Sequence, residues 1–291
     1  MDINNEIDIN NEIDINNEFQ NINIYSIDNK TTFEIKIHDF KTFIGYLKFL
    51  GLYSDNVFFF INYKEIIITT NSLSDSITKA TIYTENFLDY KLNISDRIKK
   101  KIKNNIFYIQ LSFKISELTN RFKSITSENN RALIKKINNL KINIRPLNSS
   151  TISNIDLTNS NNIINISSDK LYSTNRIKNV VFKDFFDSNV TNSEYNCITF
   201  KYTDDEFYLF DGNNKLVKNF CNINYDENKE FNQFSISCTP YLSIKKNLGV
   251  LCKNAIVKIY YNLDIKNVLF ELSFGEYGYI SISIDEYSNN D

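Results

Sequence analysis

Apolar and polar residues alternate along much of this chain, and segments with helical spacing interrupt the alternation at recurring places. Residues 33–37 (FEIKI) alternate strictly, which predicts a strand. The segment 38–52 places its apolar side chains at the spacing of one helix face: Phe40, Phe43, Ile44, Leu47 and Leu50. The first half also predicts a helix at 114–124 and strands at 56–63, 65–70, 77–83, 89–94, 107–111, 132–137 and 140–147.

The second half of the chain shows the same alternation with two further helical segments. Residues 176–187 and 240–251 predict helices, and Pro240 falls in a first turn, where its missing N–H is harmless. A hairpin is predicted around residues 203–205. The remaining strands are predicted at 196–202, 206–210, 215–222, 231–237, 255–261, 268–274 and 279–284.

The order of elements repeats within the chain. Residues 107–147 and 234–274 both give strand, helix, strand, turn and strand, and residues 56–70 correspond to 196–210. Two copies of a unit with two helices and several antiparallel strands predict an α+β fold with the helices on one face of a sheet.

Polar stretches divide the chain into four parts. The first residues repeat an acidic unit (DINNEI, DINNEI, DINNEF) that cannot bury enough apolar surface to fold, so a disordered tail is predicted. A second stretch, rich in Asn and Ser, separates the two copies of the repeat. The predicted organisation is a tail at 1–30, a first domain at 31–150, a connector at 151–172 and a second domain at 173–291.

Charge is distributed unevenly although the net charge is only −2. The four predicted helices, together with Lys253 just beyond the last of them, carry eleven basic and four acidic residues, which gives this set +7 and leaves −9 for the rest of the chain. A further basic run at 97–103 is either a solvated loop or a second surface that faces nucleic acid. Segregated positive charge on helices favours sequence-independent contact with DNA phosphates, although solvated faces of amphipathic helices would have the same composition.

Three segments resemble the proliferating cell nuclear antigen (PCNA) family of DNA sliding clamps. They are FEIKIHDFKTFIGYLKFL, VVFKDFFDSNVTNSEYNCITFKYTDDEFYLFD and IVKIYYNLDIKNVLFELSFGEYGYISISIDEY, and the resemblance covers about residues 33–287. It implies a two-domain clamp fold, with antiparallel sheets outside and helices lining a central hole. The Ala-Pro ending of the family's last strand is absent, and Ile284, Asp285 and Glu286 stand there. A divergent member, such as one from a large DNA virus, would fit this departure.

The resemblance implies a homotrimeric ring that encircles double-stranded DNA and tethers a DNA polymerase and other replication proteins. The chain would then act inside the cell, in the nucleus or in a cytoplasmic viral factory. Ring closure would pair a strand near 153–157 with a strand near 215–222 of the neighbouring subunit. The expected DNA-binding residues are Lys41, Lys48, Lys114, Arg121, Lys123, Arg176, Lys178, Lys183, Lys245, Lys246 and Lys253.

Clamps of this family bind partner peptides in an apolar pocket between the domains, under the connector and beside the last strand. The connector here contains one apolar cluster in a polar stretch, which biased Asn and Ile usage would also produce. The expected peptide-binding residues are Ile77, Ile163, Ile164, Ile166, Ile282 and Ile284.

The sequence offers little catalytic chemistry. His38 is the only histidine and stands at the start of a predicted helix, which is an ordinary capping or surface position. The four cysteines have neither metal-ligand spacing nor a CxxC pair, which is typical of buried free thiols. Asp204 and Asp205 fall in a predicted turn. We therefore expect a binding protein without a cofactor, metal or membrane segment.

Alternative functions remain open from the sequence. The clamp fold could serve in viral transcription or as a checkpoint-type subunit of a hetero-oligomer. An unrelated β-rich interaction protein is a third interpretation, and an enzyme is a remote fourth. Oligomeric state and shape would separate these alternatives most directly.

Overall fold

The computed structural model describes most of the chain as three sheets and several helices. The described residues are 23–52, 54–70, 76–102, 107–117, 130–136, 141–147, 152–157, 176–186, 196–248, 255–264, 266–274 and 277–288. The helices with described bounds are α1 (Phe40–Leu50), α2 (Asp96–Lys99), α3 (Phe182–Phe186) and α4 (Cys238–Leu248).

The strands follow the predicted alternation closely. In the first half they are β1 (Asn23–Ser26), β2 (Thr32–Ile37), β3 (Asn56–Ile61), β4 (Glu65–Thr70), β5 (Ser76–Tyr83), β6 (Asp89–Asn93), β7 (Phe107–Lys114), β8 (Ala132–Lys136), β9 (Lys141–Pro146) and β10 (Ser153–Asp156). In the second half they are β11 (Arg176–Val181), β12 (Cys197–Tyr202), β13 (Phe207–Phe210), β14 (Leu216–Asn219), β15 (Asn232–Ser237), β16 (Ile256–Asn262), β17 (Asn267–Phe274) and β18 (Gly278–Asp285).

A nine-stranded sheet joins the two halves of the chain, with the order β1-β7-β3-β4-β5-β18-β17-β16-β11. The junction lies between β5 of the first half and β18 of the second, which pair antiparallel from Gly278 opposite Ile82 to Ile284 opposite Ser76. Gly278 is required there, because a Cβ at this position would stand 2.0 Å from the carbonyl oxygen of Thr81. Continuous backbone hydrogen bonding therefore connects the two domains.

Each half adds a smaller sheet of its own. The first half has a five-stranded sheet, β10-β9-β8-β2-β6, and the second a four-stranded sheet, β14-β13-β12-β15. Apolar side chains fill the space between each small sheet and the shared sheet. Phe59 of the shared sheet contacts Phe43 of α1, and Phe185 of α3 stacks on Phe200 of the four-stranded sheet. Helices α1 and α3 thus each pack against the core of their own domain.

Residues 23–30 correct the predicted tail. Within the predicted 1–30 segment, β1 pairs parallel with β7, and the backbone N–H of Ile27 donates to Gln110 at 3.0 Å. The buried Lys136 donates to the carbonyls of Asp28 and Thr31 at 2.9 and 2.7 Å. The four residues of β1 (NIYS) are too few to show a clear alternation, and their pairing partners in β7 lie far away in the sequence. Residues 1–22 lie outside the described residues.

Three predicted helices also differ from the structure in their bounds. Residues 176–181 form β11, because they pair with β16 at the end of the shared sheet, and only 182–186 are helical. The helix predicted at 114–124 begins after Lys114, which is the last residue of β7. Helical backbone follows at 115–117, and the rest of that segment lies outside the described residues. The helix predicted at 240–251 runs over 238–248.

Candidate nucleic-acid interface

Helix α1 presents two lysines on a face that is otherwise free of charge. Its apolar positions are buried, whereas Lys41 and Lys48 are exposed one above the other on the solvent side. Asp39 caps the helix, because its side chain accepts from the backbone N–H of Thr42 at 3.1 Å and from Asn130 at 2.9 Å. Burial raises the pKa of this carboxyl, but these hydrogen bonds outweigh it and leave the pKa below its ordinary value.

Helix α4 has the same character and packs against α1. It buries Cys238, Tyr241, Ile244 and Leu248, and it places Lys246 in solvent with Lys245 half-buried beside it. Neither helix contains Asp or Glu. Two neighbouring helices from different domains therefore combine four lysines without an intervening carboxylate, and we name Lys41, Lys48, Lys245 and Lys246 the helix-face lysines.

The remaining predicted DNA-binding residues fall into three groups. Lys114 is exposed at the end of β7, and Lys183 is exposed on α3 beside Asp184, which offsets its charge. Arg176 and Lys178 lie on β11 rather than on a helix, and Lys178 donates to the carbonyl of Asp205 at 3.4 Å. The assignment of these two residues to a helix face is therefore wrong. Three predicted residues lie outside the described part of the chain: Arg121, Lys123 and Lys253.

The residues predicted to form the peptide pocket are either buried or have side chains outside the described part of the structure. Ile282 and Ile284 are 1% and 3% exposed in the core, because β18 is flanked by β5 and β17 and directs these positions inward. Neither residue offers an open surface, which corrects their predicted role. The backbone of Ile77 pairs with Ser283, but its side chain is not described. Residues Ile163, Ile164 and Ile166 lie outside the described residues.

One exposed apolar residue near the last strand was not predicted from the sequence. Leu263 is 63% exposed in the turn between β16 and β17. That turn reaches the end of β18, because the backbone N–H of Glu286 donates to the carbonyl of Lys266 at 2.7 Å. The sequence signal that could have indicated this exposed residue is a leucine in the mostly polar turn NLDIKN.

The structure also places the other residues that the sequence considered for catalysis or metal binding. His38 precedes the cap of α1 and its ring lies 4.8 Å from that of Tyr277. Cys197, Cys221 and Cys238 are free thiols, of which Cys238 is buried, and Asp204 and Asp205 are exposed in their turn. In these ranges no three His, Cys, Asp or Glu residues are grouped so that they could hold a metal ion. No described helix combines the length and apolar character needed to cross a membrane.

Comparison with solved structures identifies the fold. The crystal structure of PCNA from Thermococcus kodakaraensis superposes with a TM-score of 0.65 at 15% identity, covering 88% of this chain and 100% of that one. Proliferating cellular nuclear antigen from Entamoeba histolytica gives a TM-score of 0.64 at 13% identity, with coverages of 88% and 99%. No protein-family model and no curated protein matches the chain. The predicted α+β sliding-clamp fold is thereby confirmed, in a divergent form.

Proposed function

We propose that this chain is a subunit of a DNA clamp that encircles duplex DNA and tethers a DNA polymerase and other replication proteins. The observation that carries the proposal is the pair α1 and α4, which carry the half-buried Lys245 and three exposed lysines and contain no Asp or Glu. The clamp fold shared with PCNA supports it. The chain would act where DNA is replicated.

The chemistry of the helix face suits a protein that slides. Lysine ammonium groups bind phosphates as point charges and read no base edge, so they hold every sequence with similar strength. Exposed lysines keep water around each contact and allow a phosphate to be exchanged for the next. Binding should therefore be insensitive to sequence and strongly weakened by salt.

The edge strands of the two smaller sheets support closure of a ring. In the described part of the chain, β10 ends the five-stranded sheet and β14 ends the four-stranded sheet. Unpaired sheet edges favour association, and a head-to-tail contact between different edges forms a ring when the rotation between neighbouring subunits closes. The edges also differ in charge, because β10 carries the exposed Asp156, which pairs with Lys141 at 3.4 Å, whereas β14 contains Lys218 and follows directly on the exposed Lys215. We propose β10–β14 pairing between neighbouring subunits of a homotrimer.

The partner site is proposed beside the end of the last strand. Leu263 supplies the exposed apolar surface in that region, and the connector residues Ile163, Ile164 and Ile166 would complete it. Calorimetry with C-terminal peptides of the cognate polymerase tests the site. Leu263→Asp should weaken binding at least about tenfold, whereas Leu52→Asp, at an equally exposed leucine elsewhere, should not. Equal affinities of both variants would place the partner site elsewhere.

The fold removes one of the alternative functions that the sequence left open. An unrelated β-rich protein is ruled out by the clamp fold. A role in transcription, or as one subunit of a hetero-oligomer, uses the same fold and the same helices. We favour the homomeric clamp, because both complementary edges occur on one chain.

Sedimentation velocity combined with particle imaging tests the assembly. A single species of three chains, seen as a closed ring with a hole wide enough for duplex DNA, is the expected result. A stable monomer at micromolar concentration would contradict self-closure. A monomer that forms a ring only with a second, different chain would favour the hetero-oligomeric alternative.

A further inference from the structure

A cluster of exposed cations lies on α2 and the turn that follows it. Arg97, Lys99, Lys100 and Lys101 are all exposed. Among the described carboxylates only Asp96 pairs with them, at 3.7 Å from the Nζ atom of Lys99. We call these four residues the α2 patch. Its charge is therefore largely uncompensated by the described residues around it.

The α2 patch lies away from the helix face. Helix α2 follows β6, whose last residue Asn93 pairs with Thr32 at the start of β2. Helix α1 comes after the other end of β2. The α2 patch thus lies at one end of the β2–β6 pair and the helix-face lysines of α1 lie at the other end. The proposed binding of DNA by the helix face therefore does not account for the positive charge of the patch.

The N-terminal strand brings a different segment to the patch. Strand β1 runs parallel to β7, with Asn23 opposite Phe107, the first residue of β7. The hydroxyl of Tyr25 donates to the carbonyl of Lys101 at 2.8 Å. The chain that precedes Asn23 therefore leaves the fold two residues before a side chain that contacts the α2 patch.

That preceding chain has the complementary charge. The repeats of residues 2–19 contain six carboxylates and no lysine or arginine: Asp2, Glu6, Asp8, Glu12, Asp14 and Glu18. Glu18 lies five residues before Asn23 and so at most about 18 Å from it, which brings the last repeat within reach of the patch. We propose that the acidic repeats of residues 2–19 bind the α2 patch of the same chain.

Tethering makes such a contact effective although each ion pair is weak. Exposed pairs contribute little individually and are screened by salt. A short connection to β1, however, keeps the carboxylates at a high effective concentration near the patch. The contact should therefore form at low and moderate salt and dissociate at high salt.

The contact would keep DNA off the outer surface of the clamp, a consequence that rests on the proposed function. Four exposed cations with one paired carboxylate among the described residues retain net positive charge and bind phosphates of any sequence. A clamp that held DNA on such a surface could not slide freely. With its carboxylates on the patch, the tail would leave the helix face as the accessible basic surface.

Carbodiimide cross-linking with peptide mass spectrometry tests the contact without DNA or ring formation. At low salt, tail carboxylates should join Lys99, Lys100 and Lys101, and the yield should fall at least about fivefold at 1 M salt. Lys266, exposed in the turn between β16 and β17, is the reference. Links to Lys266 as frequent as those to the patch, or links that survive high salt, would overturn the proposal.

DNA binding by a tail deletion tests the consequence separately. Removing residues 1–19 should raise the affinity for short linear duplexes about tenfold at low salt. The combined substitution of Arg97, Lys99, Lys100 and Lys101 by serine in the deleted chain should abolish that gain. A gain that survives these substitutions would refute the patch as its source. If removal of residues 1–19 leaves the affinity for DNA unchanged although the cross-links form, the tail binds the patch but does not keep DNA away from it.

Discussion

The backbone N–H of Asp39 donates a 2.7 Å hydrogen bond to the hydroxyl oxygen of Tyr277, 238 residues later in the chain. Asp39 caps α1 of the first domain, and Tyr277 precedes β18 of the second. Tyr277 is 1% exposed, and its carbonyl accepts from the backbone N–H of Tyr83 at 3.0 Å. One side chain thus links the domain junction to the start of the helix that carries Lys41 and Lys48.

Replacing Tyr277 by phenylalanine should lower the free energy of unfolding by about 1–2 kcal/mol, because a backbone donor loses its partner. Denaturant unfolding measures this change. Tyr83→Phe is the matched control, since Tyr83 is 39% exposed, and it should change stability by less than about 0.5 kcal/mol. Equal effects of the two variants would contradict a structural role for the Tyr277 hydroxyl.

Gly278 should be intolerant of any side chain. Alanine there would force the Cβ against the carbonyl of Thr81 and separate β18 from β5, with a loss of more than about 3 kcal/mol. At Gly51 the nearest atoms to an added Cβ stand at 3.3 Å, so Gly51→Ala should cost much less. Thermal unfolding compares the two. A stable Gly278→Ala protein with native strand content would contradict the close approach of these strands.

Lys136 should make stability depend on pH in the alkaline range. Burial lowers its pKa below the ordinary 10.5, partly offset by Asp28. Between the lowered pKa and 10.5 the unfolded chain holds more protons, so the free energy of unfolding gains a contribution that grows as pH rises. Lys136→Met removes this contribution and two hydrogen bonds. The stability difference between wild type and variant should increase with pH across that window, and a constant difference would contradict the shift.

Charge reversal of the helix-face lysines should remove most DNA binding. Changing Lys41, Lys48, Lys245 and Lys246 to glutamate should weaken binding by at least about a hundredfold at 0.1 M salt and flatten its salt dependence, because each phosphate contact contributes roughly 0.9 to the slope. The matched control reverses four exposed lysines elsewhere: Lys30, Lys64, Lys91 and Lys266. Fluorescence anisotropy across a salt series provides the measurement. A slope that is the same in both variants would exclude the helix face as the DNA site.

Exchange of charges at the proposed subunit contact should first break and then restore the ring. Lys218→Glu in β14 with Lys215→Glu just before it adds acids that would repel Asp156 of β10 across the proposed contact, and the oligomer should dissociate at lower dilution than wild type. Adding Asp156→Lys should recover part of the association, as measured by sedimentation velocity. No change in either variant would indicate that these edges do not meet.

Local patterns in the sequence account for most of the framework. The strict alternation at Phe33 to Ile37 and the helical spacing at Phe40 to Leu50 reflect burial on one face, a property that each segment carries in its own sequence. The lysines of α1 and α4 were identified for the same reason, because amphipathic spacing separates an apolar side from a charged one. Together with the resemblance to sliding clamps, these patterns determined the α+β architecture.

Long-range pairing determined what local pattern could not. Residues 176–181 form a strand because β16 lies beside them, and Ile282 and Ile284 are buried because β18 is enclosed between β5 and β17. Strand β1 exists because β7 offers it an edge. The sequence alone thus determined the periodic elements and their charged faces. The tertiary structure decided which side of each strand meets the core, since that side depends on neighbours far away along the chain.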